Sequence, residues 1–130
     1  VQSFRVLCSN LASGLMSLAI STLRKYLDAF NAHSIEDVLS HLDDKIQVFV
    51  DGNLMAEGKE NVRASYVTDF EARKQATLVH DPVLVGEDSS TSRVSVVLST
   101  GQLQLDVVYT FRVQDMKQVK HEISNIRKVE

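Results

Sequence analysis

The sequence predicts a single α+β domain in which N-terminal helices pack against an antiparallel sheet. In the first half of the chain, apolar residues recur every three or four positions, which is typical of helices with one buried face. In the second half, apolar and polar residues alternate within long runs separated by polar turns, which is typical of antiparallel strands. The 130 residues, with a single proline, are enough to bury one core without disulfides or a structural metal.

Two helices open the predicted fold. The first spans residues 15–31, where leucine and aromatic side chains fall on one stripe. Ser34 stands where a residue can cap a second, short helix from Ile35 to Leu42, and Asp37 three residues later completes a variant of the capping box. The first helix therefore presents an apolar face for packing against the rest of the domain.

A strand and a third helix are predicted next. Residues 46–51 alternate with period two and lead into Asp-Gly-Asn at residues 51–53, a strong signal for a hairpin turn or a strand end. The third helix is predicted from Glu60 to Ala72, because its apolar side chains recur at helical spacing while its other face is charged. Its inward residues are expected to be Val62, Tyr66 and Phe70.

The back half of the chain predicts a series of strands: Ala76 to Val85, Arg93 to Thr100, Gln102 to Val113, and Gln118 to Ile126. Alternation places Tyr109 on the apolar face of the third run, and this face should point into the domain. In the last run, the residues on the same face as His121 are Val119, Ile123 and Asn125. His80 shares a face with leucines in the first run, although Pro82 can disturb that register.

Three stretches of sequence carry a family resemblance. Leu-Arg-Lys-Tyr-Leu-Asp-Ala-Phe-Asn-Ala at residues 23–32 resembles the first helix of SnoaL-like proteins and of ketosteroid isomerase. His-Leu-Asp-Asp at residues 41–44 resembles the end of their second helix, and residues 56–63 resemble the start of their third. The chain is thus similar to the NTF2-like superfamily, which implies a cone: three helices packed in the concave face of a curved antiparallel sheet, around an apolar cavity.

The resemblance also implies roles for particular positions. Tyr26 falls where the isomerases carry a tyrosine that donates a hydrogen bond to a developing oxyanion. Their catalytic aspartate falls on Phe49, and the protonated acid of their oxyanion hole falls approximately on Tyr109. Asp51 is two residues after Phe49 on the same strand face, but its place beside Gly52 also suits a turn. We therefore do not expect a ketosteroid isomerase.

The candidate site is an apolar cavity with a few polar side chains. The candidate catalytic residues are Tyr26, Asp51, Tyr109 and His121, and the candidate ligand contacts are Phe30, Phe49, Tyr66, Phe70 and His80. Tyrosines can donate hydrogen bonds to an oxyanion, and a histidine or aspartate can act as the base. Each of these residues also has a simpler interpretation as a packing or surface side chain.

Two functions fit these residues. One is a cofactor-independent lyase or isomerase that acts on a small, largely apolar carbonyl compound. The other is a non-catalytic binding or association module that forms a homodimer through its sheet, because Val97 and Val108 fall on faces that should point outward. The domain could also belong to a larger protein, and the fold by itself does not decide between these readings.

Composition excludes several other classes. The net charge of -3 and the scattered basic residues argue against nucleic acid and membrane partners. The lone Cys8 and the lack of ligand spacings predict neither a disulfide nor a metal site, so a reduced, cytoplasmic compartment is expected.

The N-terminal residues differ from the rest of the chain. No acid precedes Asp28, and the apolar run from Leu11 to Ile20 is too short to span a bilayer. We interpret residues 1–14 as an extension, either a targeting remnant for organelle import or a lead into the first helix, and residues 15–130 as the domain.

Overall fold

The computed structural model describes residues 18–129, which form three helices and a seven-stranded sheet. The helices are α1 over residues 18–31, α2 over Ile35–Ser40 and α3 over Lys59–Glu71. The strands are β1 Leu42–Val50, β2 Asn53–Glu57, β3 Thr77–Leu78, β4 Val83–Glu87, β5 Thr91–Thr100, β6 Leu103–Arg112 and β7 Gln118–Lys128. The α+β prediction is confirmed, while the predicted extension and Cys8 lie outside the described residues.

The sheet runs in the order β2-β1-β7-β6-β5-β3, and β4 pairs with β5 beside β3. All neighbouring strands are antiparallel except β1 and β7, which are parallel. The chain leaves β1 through the hairpin to β2, continues through α3, and then forms strands β3 to β6. It returns to the other side of β1 as β7, parallel to it. Register shifts in several pairs bend the sheet, and the helices occupy its concave face.

Several boundaries differ from the predicted ones. Helix α2 ends at Ser40 because Leu42 already starts β1, and the side chain of Ser34 makes no capping hydrogen bond. The predicted strand over residues 76–85 is divided into β3 and β4, with Pro82 immediately before β4. Proline has no backbone N–H to give to a strand pair, so the interruption falls where the ladder would otherwise lose a hydrogen bond.

The β1–β2 turn has the conformation that its sequence predicts. Asp51 has a φ of 49° and Gly52 a φ of 82°, and a two-residue type I′ turn requires positive φ at both central positions. Asp51 is therefore an exposed turn residue, rather than a side chain on the face of the sheet.

The core lies between α1, α3 and the concave face of the sheet. Its helical contributions follow the predicted stripes: Leu23, Tyr26, Leu27 and Phe30 from α1, and Val62 and Tyr66 from α3. The central strands add alternate residues, among them Val94, Val96, Val107, Tyr109 and Phe111. Because these stripes converge, any cavity left between them is walled mainly by apolar side chains.

Two bulges in β7 change which residues point inward. One extra residue enters β7 at Val119, where Phe111 pairs with Gln118 but Thr110 pairs with Lys120. A second enters near Asn125, which has a φ of 54° and reaches the outward-facing Asp106. The inward residues of β7 are Gln118, His121, Ile123 and Ile126, so the prediction that Val119 and Asn125 share the face of His121 is wrong.

Candidate functional site

A cavity of about 390 Å³ lies between α1, α3 and the concave face of the sheet. Its walls are mainly aliphatic and include Leu27, Val48, Val50, Val62, Leu105 and Val107. The exposed side chains of Met55, Leu103 and Ile126 also line it, so the cavity opens to the surface beside them. Its volume and its mainly apolar walls fall within the range found for small-molecule sites in general, which makes it the candidate site.

Three tyrosines meet in this cavity. The hydroxyl oxygens of Tyr26 and Tyr66 lie 2.5 Å apart in a hydrogen bond between α1 and α3. The ring of Tyr109, from β6, lies 5.7 Å from the ring of Tyr26, centroid to centroid, in an edge arrangement. All three side chains are buried and line the cavity. The site therefore gathers three phenols from three elements of the fold.

Burial determines the protonation of these phenols. It raises the pKa of Tyr26 and of Tyr109 well above the ordinary value of 10, and the proximity of the two tyrosines to other phenols adds to this. Burial also raises the pKa of Tyr66, although its hydrogen bond with Tyr26 opposes the change. The three groups consequently stay protonated at neutral pH, and two of their protons remain for a ligand, because one is used in the hydrogen bond between Tyr26 and Tyr66.

His121 lies beside the phenols. Its ring centroid is 4.7 Å from that of Tyr109 and 6.0 Å from that of Tyr26, and its Nε2 is 2.5 Å from Oε1 of Gln118. Burial lowers the pKa of His121 from 6.5 to about 3, because a charged imidazolium would lose its solvation there. The imidazole is therefore neutral across the physiological pH range.

A charged pair lines another part of the cavity. Nζ of Lys74 lies 3.2 Å from Oδ1 of Asp69, and both side chains are partly exposed. These are the charged residues among those that line the cavity within residues 18–129. Apolar stripes in the sequence do not predict them, because both side chains are charged. The available signal was spacing, since Asp69 is three residues after Tyr66 and so shares its helix face.

The structure brings five of the predicted site residues together. Tyr26, Phe30, Tyr66, Tyr109 and His121 all line the same cavity. They come from α1, α3, β6 and β7, so their convergence depends on the tertiary fold rather than on any local motif.

Phe49 and Asp51 do not line the cavity. Strand β1 turns its even-numbered residues Val48 and Val50 inward, so Phe49 points to the outer face, where Nζ of Lys120 lies 4.9 Å from its ring centroid. Asp51 is held in the exposed turn described above. The cavity therefore has no acid at the position that the isomerase resemblance implies.

Phe70 and His80 also lie elsewhere. The ring of Phe70 packs against that of Phe30 at a centroid distance of 5.2 Å and supports the core without lining the cavity. His80 is exposed in the connection between β3 and β4, with Nδ1 2.9 Å from the carbonyl oxygen of Asp81. The break in the strand before Pro82 turns His80 away from the core.

Two further features concern metals and membranes. Among residues 18–129, no group of three or more histidine, cysteine, aspartate or glutamate side chains is arranged to hold a metal ion. No helix in this part of the chain is both long and apolar enough to cross a membrane.

The sequence model of the SnoaL-like domain family matches residues 23–121, which is most of the chain and includes Tyr26, Tyr66, Tyr109 and His121. The chain belongs to this family. The resemblance to the NTF2-like superfamily is thereby confirmed, and with it the cone fold. No curated protein has significant sequence similarity to this SnoaL-like domain.

Solved structures share the fold of this SnoaL-like domain at low sequence identity. A SnoaL-like protein from Burkholderia thailandensis is 20% identical with a TM-score of 0.68, over 85% of this chain and 96% of that one. The epoxide hydrolase/cyclase-like enzyme SalBIII is 12% identical with a TM-score of 0.68, over 88% and 98%. An NTF2-like protein from Cytophaga hutchinsonii is 16% identical with a TM-score of 0.66, over 84% and 96%.

Proposed function

We propose that this SnoaL-like domain binds a small, uncharged and largely apolar molecule that carries a carbonyl or hydroxyl oxygen. One observation carries the proposal: three protonated phenols and a neutral imidazole converge in a cavity whose other walls are mainly aliphatic. The phenols can donate to the ligand's oxygen, and the apolar walls can bury its carbon skeleton.

The charge state of the cavity argues for a neutral ligand. A buried ion is costly unless an opposite charge or several hydrogen bonds compensate for its lost solvation. The charged groups that line the cavity, Asp69 and Lys74, already pair with each other. The binding energy should instead come from buried apolar surface, at roughly 25 cal/mol per Å².

A catalytic role on the same ligand class is a second candidate function. A phenol hydroxyl that donates to a carbonyl oxygen can stabilise the enolate that forms when the adjacent carbon loses its proton. His121 can accept this proton as a neutral imidazole and return it at another carbon or to a leaving group. This would make the domain a cofactor-independent isomerase or lyase. SalBIII, which shares the fold, is described as acting in pyran ring formation.

Binding can be tested with the tyrosines themselves. The chain has three tyrosines and no tryptophan, and all three tyrosines line the cavity. NMR spectra of protein with ¹³C-labelled tyrosine rings therefore report on the cavity alone. We expect saturable shifts of these signals on titration with the bicyclic ketone β-tetralone, and weaker binding of tetralin, the matched hydrocarbon without the oxygen. Unchanged tyrosine signals with both probes would refute the ligand class.

An association role has independent support on the opposite face of the sheet. Phe49 and Leu54 pair on the outer face of the β1–β2 hairpin, and the side chain of Leu54 is 49% exposed. On the same face, Val97 of β5 and Val108 of β6 point outward, and these two strands pair with each other. We propose that a second copy of the chain covers this face, which is compatible with a ligand in the cavity.

A further inference from the structure

Gln118 and His121 are two polar residues that contact each other while both are buried. Gln118 has no exposed surface and lies on the inner face of β7, although it is a polar residue. The bulge at Val119 brings it there, because the inserted residue places both Gln118 and His121 on the concave side. Oε1 of Gln118 then approaches Nε2 of His121 to 2.5 Å. The sheet is thus distorted at the point where this contact forms.

The contact determines which ring nitrogen carries the proton. A neutral imidazole has one N–H donor and one acceptor nitrogen, and an amide oxygen can only accept a hydrogen bond. Nε2 must therefore donate to Oε1 of Gln118, which leaves the lone pair on Nδ1. Among the described residues, none forms a hydrogen bond with Nδ1, while the ring lines the cavity.

We propose that Gln118 is a positioning residue that holds His121 as the Nε2–H tautomer, so that Nδ1 is the acceptor offered to a ligand in the cavity. The tautomer itself is independent of what the cavity binds. The role of this tautomer in binding or proton transfer rests on the proposed function. A ligand hydroxyl or an acidic C–H can only donate its proton to a ring nitrogen that carries a lone pair.

The neighbours of His121 offer no alternative way to set its tautomer. Tyr26 from α1 and Tyr109 from β6 contact the ring in edge arrangements, and neither hydroxyl forms a hydrogen bond with an imidazole nitrogen. Val48 of β1 pairs with His121 and is aliphatic. Gln118 is therefore the polar group of the described residues that contacts the imidazole in a hydrogen bond.

Imidazole nitrogen NMR tests the proposal directly on the unmodified protein. Long-range ¹H–¹⁵N correlation spectra distinguish a protonated ring nitrogen from one with a lone pair, and the His121→Gln variant assigns the signal. We expect a single Nε2–H tautomer for His121 at neutral pH. An Nδ1–H tautomer, or a mixture of the two, would overturn the proposal, because the amide of Gln118 would then donate to the ring or play no part.

Two variants separate positioning from simple packing. Gln118→Met keeps a side chain of similar length without the hydrogen bond, and we expect it to give a mixture of both tautomers. Ser92→Ala is the matched control, because Ser92 is also a buried polar residue beside Phe111 but does not contact His121. If Gln118→Met retains a pure Nε2–H tautomer, then Gln118 only packs and the proposal fails.

A third variant, Gln118→Glu, changes the charge next to the ring. A carboxylate at this place favours the imidazolium, so we expect the pKa of His121 to rise by at least ~1 unit. An unchanged His121 pKa would mean that residue 118 does not act on the ring.

The ligand titration keeps the two proposals distinguishable. Gln118→Met should weaken β-tetralone binding less than the loss of a phenol donor does, and should also slow any proton exchange. If the tautomer is as expected but β-tetralone does not bind, only the ligand class fails. If β-tetralone binds while the tautomer is mixed, only the positioning role fails.

Discussion

The hydroxyl oxygens of Tyr26 and Tyr66 lie 2.5 Å apart inside the cavity, and this contact joins residues 40 positions apart in the chain. One hydroxyl donates and the other accepts, so the acceptor keeps its own proton for another partner. Because Tyr66 belongs to α3 and Tyr26 to α1, the same bond links the two helices that cover the sheet. The pair thus links two helices of the fold and leaves one phenol proton free in the cavity.

The substitution Tyr26→Phe should separate these two contributions. Loss of the hydrogen bond should reduce the free energy of unfolding by about 1 kcal/mol, measured by urea denaturation. If Tyr26 donates to an oxyanion, the rate of deuterium exchange at the acidic carbon of β-tetralone should fall by the equivalent of about 2.7–4 kcal/mol.

Tyr66→Phe is the matched control for Tyr26→Phe, because it removes the same hydrogen bond and leaves the Tyr26 hydroxyl in place. We expect a similar loss of stability and a smaller loss of exchange rate. Equal rate losses in the two variants would show that Tyr26 has no special role as a donor.

Stability should fall as the pH is lowered, and His121 should contribute to this. The pKa of His121 is about 3 in the folded protein, against an ordinary value of 6.5. Between pH 3 and pH 6.5, the unfolded chain therefore binds a proton at this residue that the folded protein does not bind. Folding is therefore favoured by the neutral ring above pH 6.5, and this stabilisation is lost as the pH falls towards 3. The slope from this one group is at most about 1.4 kcal/mol per pH unit.

Urea denaturation at a series of pH values measures this slope. Other groups contribute in the same direction. One is Asp88, because hydrogen bonds lower the pKa of its carboxyl group to about 2. The comparison must therefore be with His121→Gln, which lacks the titrating ring and should have a shallower dependence between pH 6 and 4 by roughly 1 kcal/mol per unit. Parallel curves for the two proteins would contradict the buried neutral imidazole.

The helical half of the site could be predicted from the sequence because helical periodicity is regular. Once Leu23 and Phe30 define the buried stripe of α1, Tyr26 must lie on it, and the same argument places Tyr66 on the inner face of α3. The uninterrupted alternation in β6 likewise places Tyr109 inward.

The remaining errors have a common physical origin in the strands. A bulge inserts one residue into a strand, so every side chain beyond it points to the opposite face of the sheet from the one that alternation predicts. The bulges at Val119 and Asn125 contain no glycine or proline that would indicate them in the sequence. Alternation therefore does not predict that Gln118 points inward. The isomerase resemblance places Phe49 inward, although the alternation of β1 with Val48 and Val50 favours the outer face.

The Asp69–Lys74 pair should control whether the cavity accepts an anion. In the Asp69→Asn variant, Lys74 loses its partner, so a tetralin carboxylate should bind about fivefold more tightly, the equivalent of about 1 kcal/mol for a partly exposed pair. The affinity for neutral β-tetralone should stay nearly the same, measured by calorimetry. An equal gain for both ligands would indicate a change in cavity shape rather than in charge.

The outer face of the sheet should mediate self-association. Isolated valines on a solvated sheet are ordinary, but Val97 and Val108 lie on adjacent strands in a sheet that also exposes Leu54, and burial of such surface is favourable. Analytical ultracentrifugation at micromolar concentration should give twice the 14.5 kDa mass of the chain. Val108→Glu should shift the protein to monomer, because the dimer would have to bury a carboxylate that lies directly opposite Glu122 on this face. Val67→Glu introduces the same charge at an exposed position of α3 and should leave the dimer intact. A wild-type protein that sediments as a monomer would remove the case for a covered outer face without affecting the cavity.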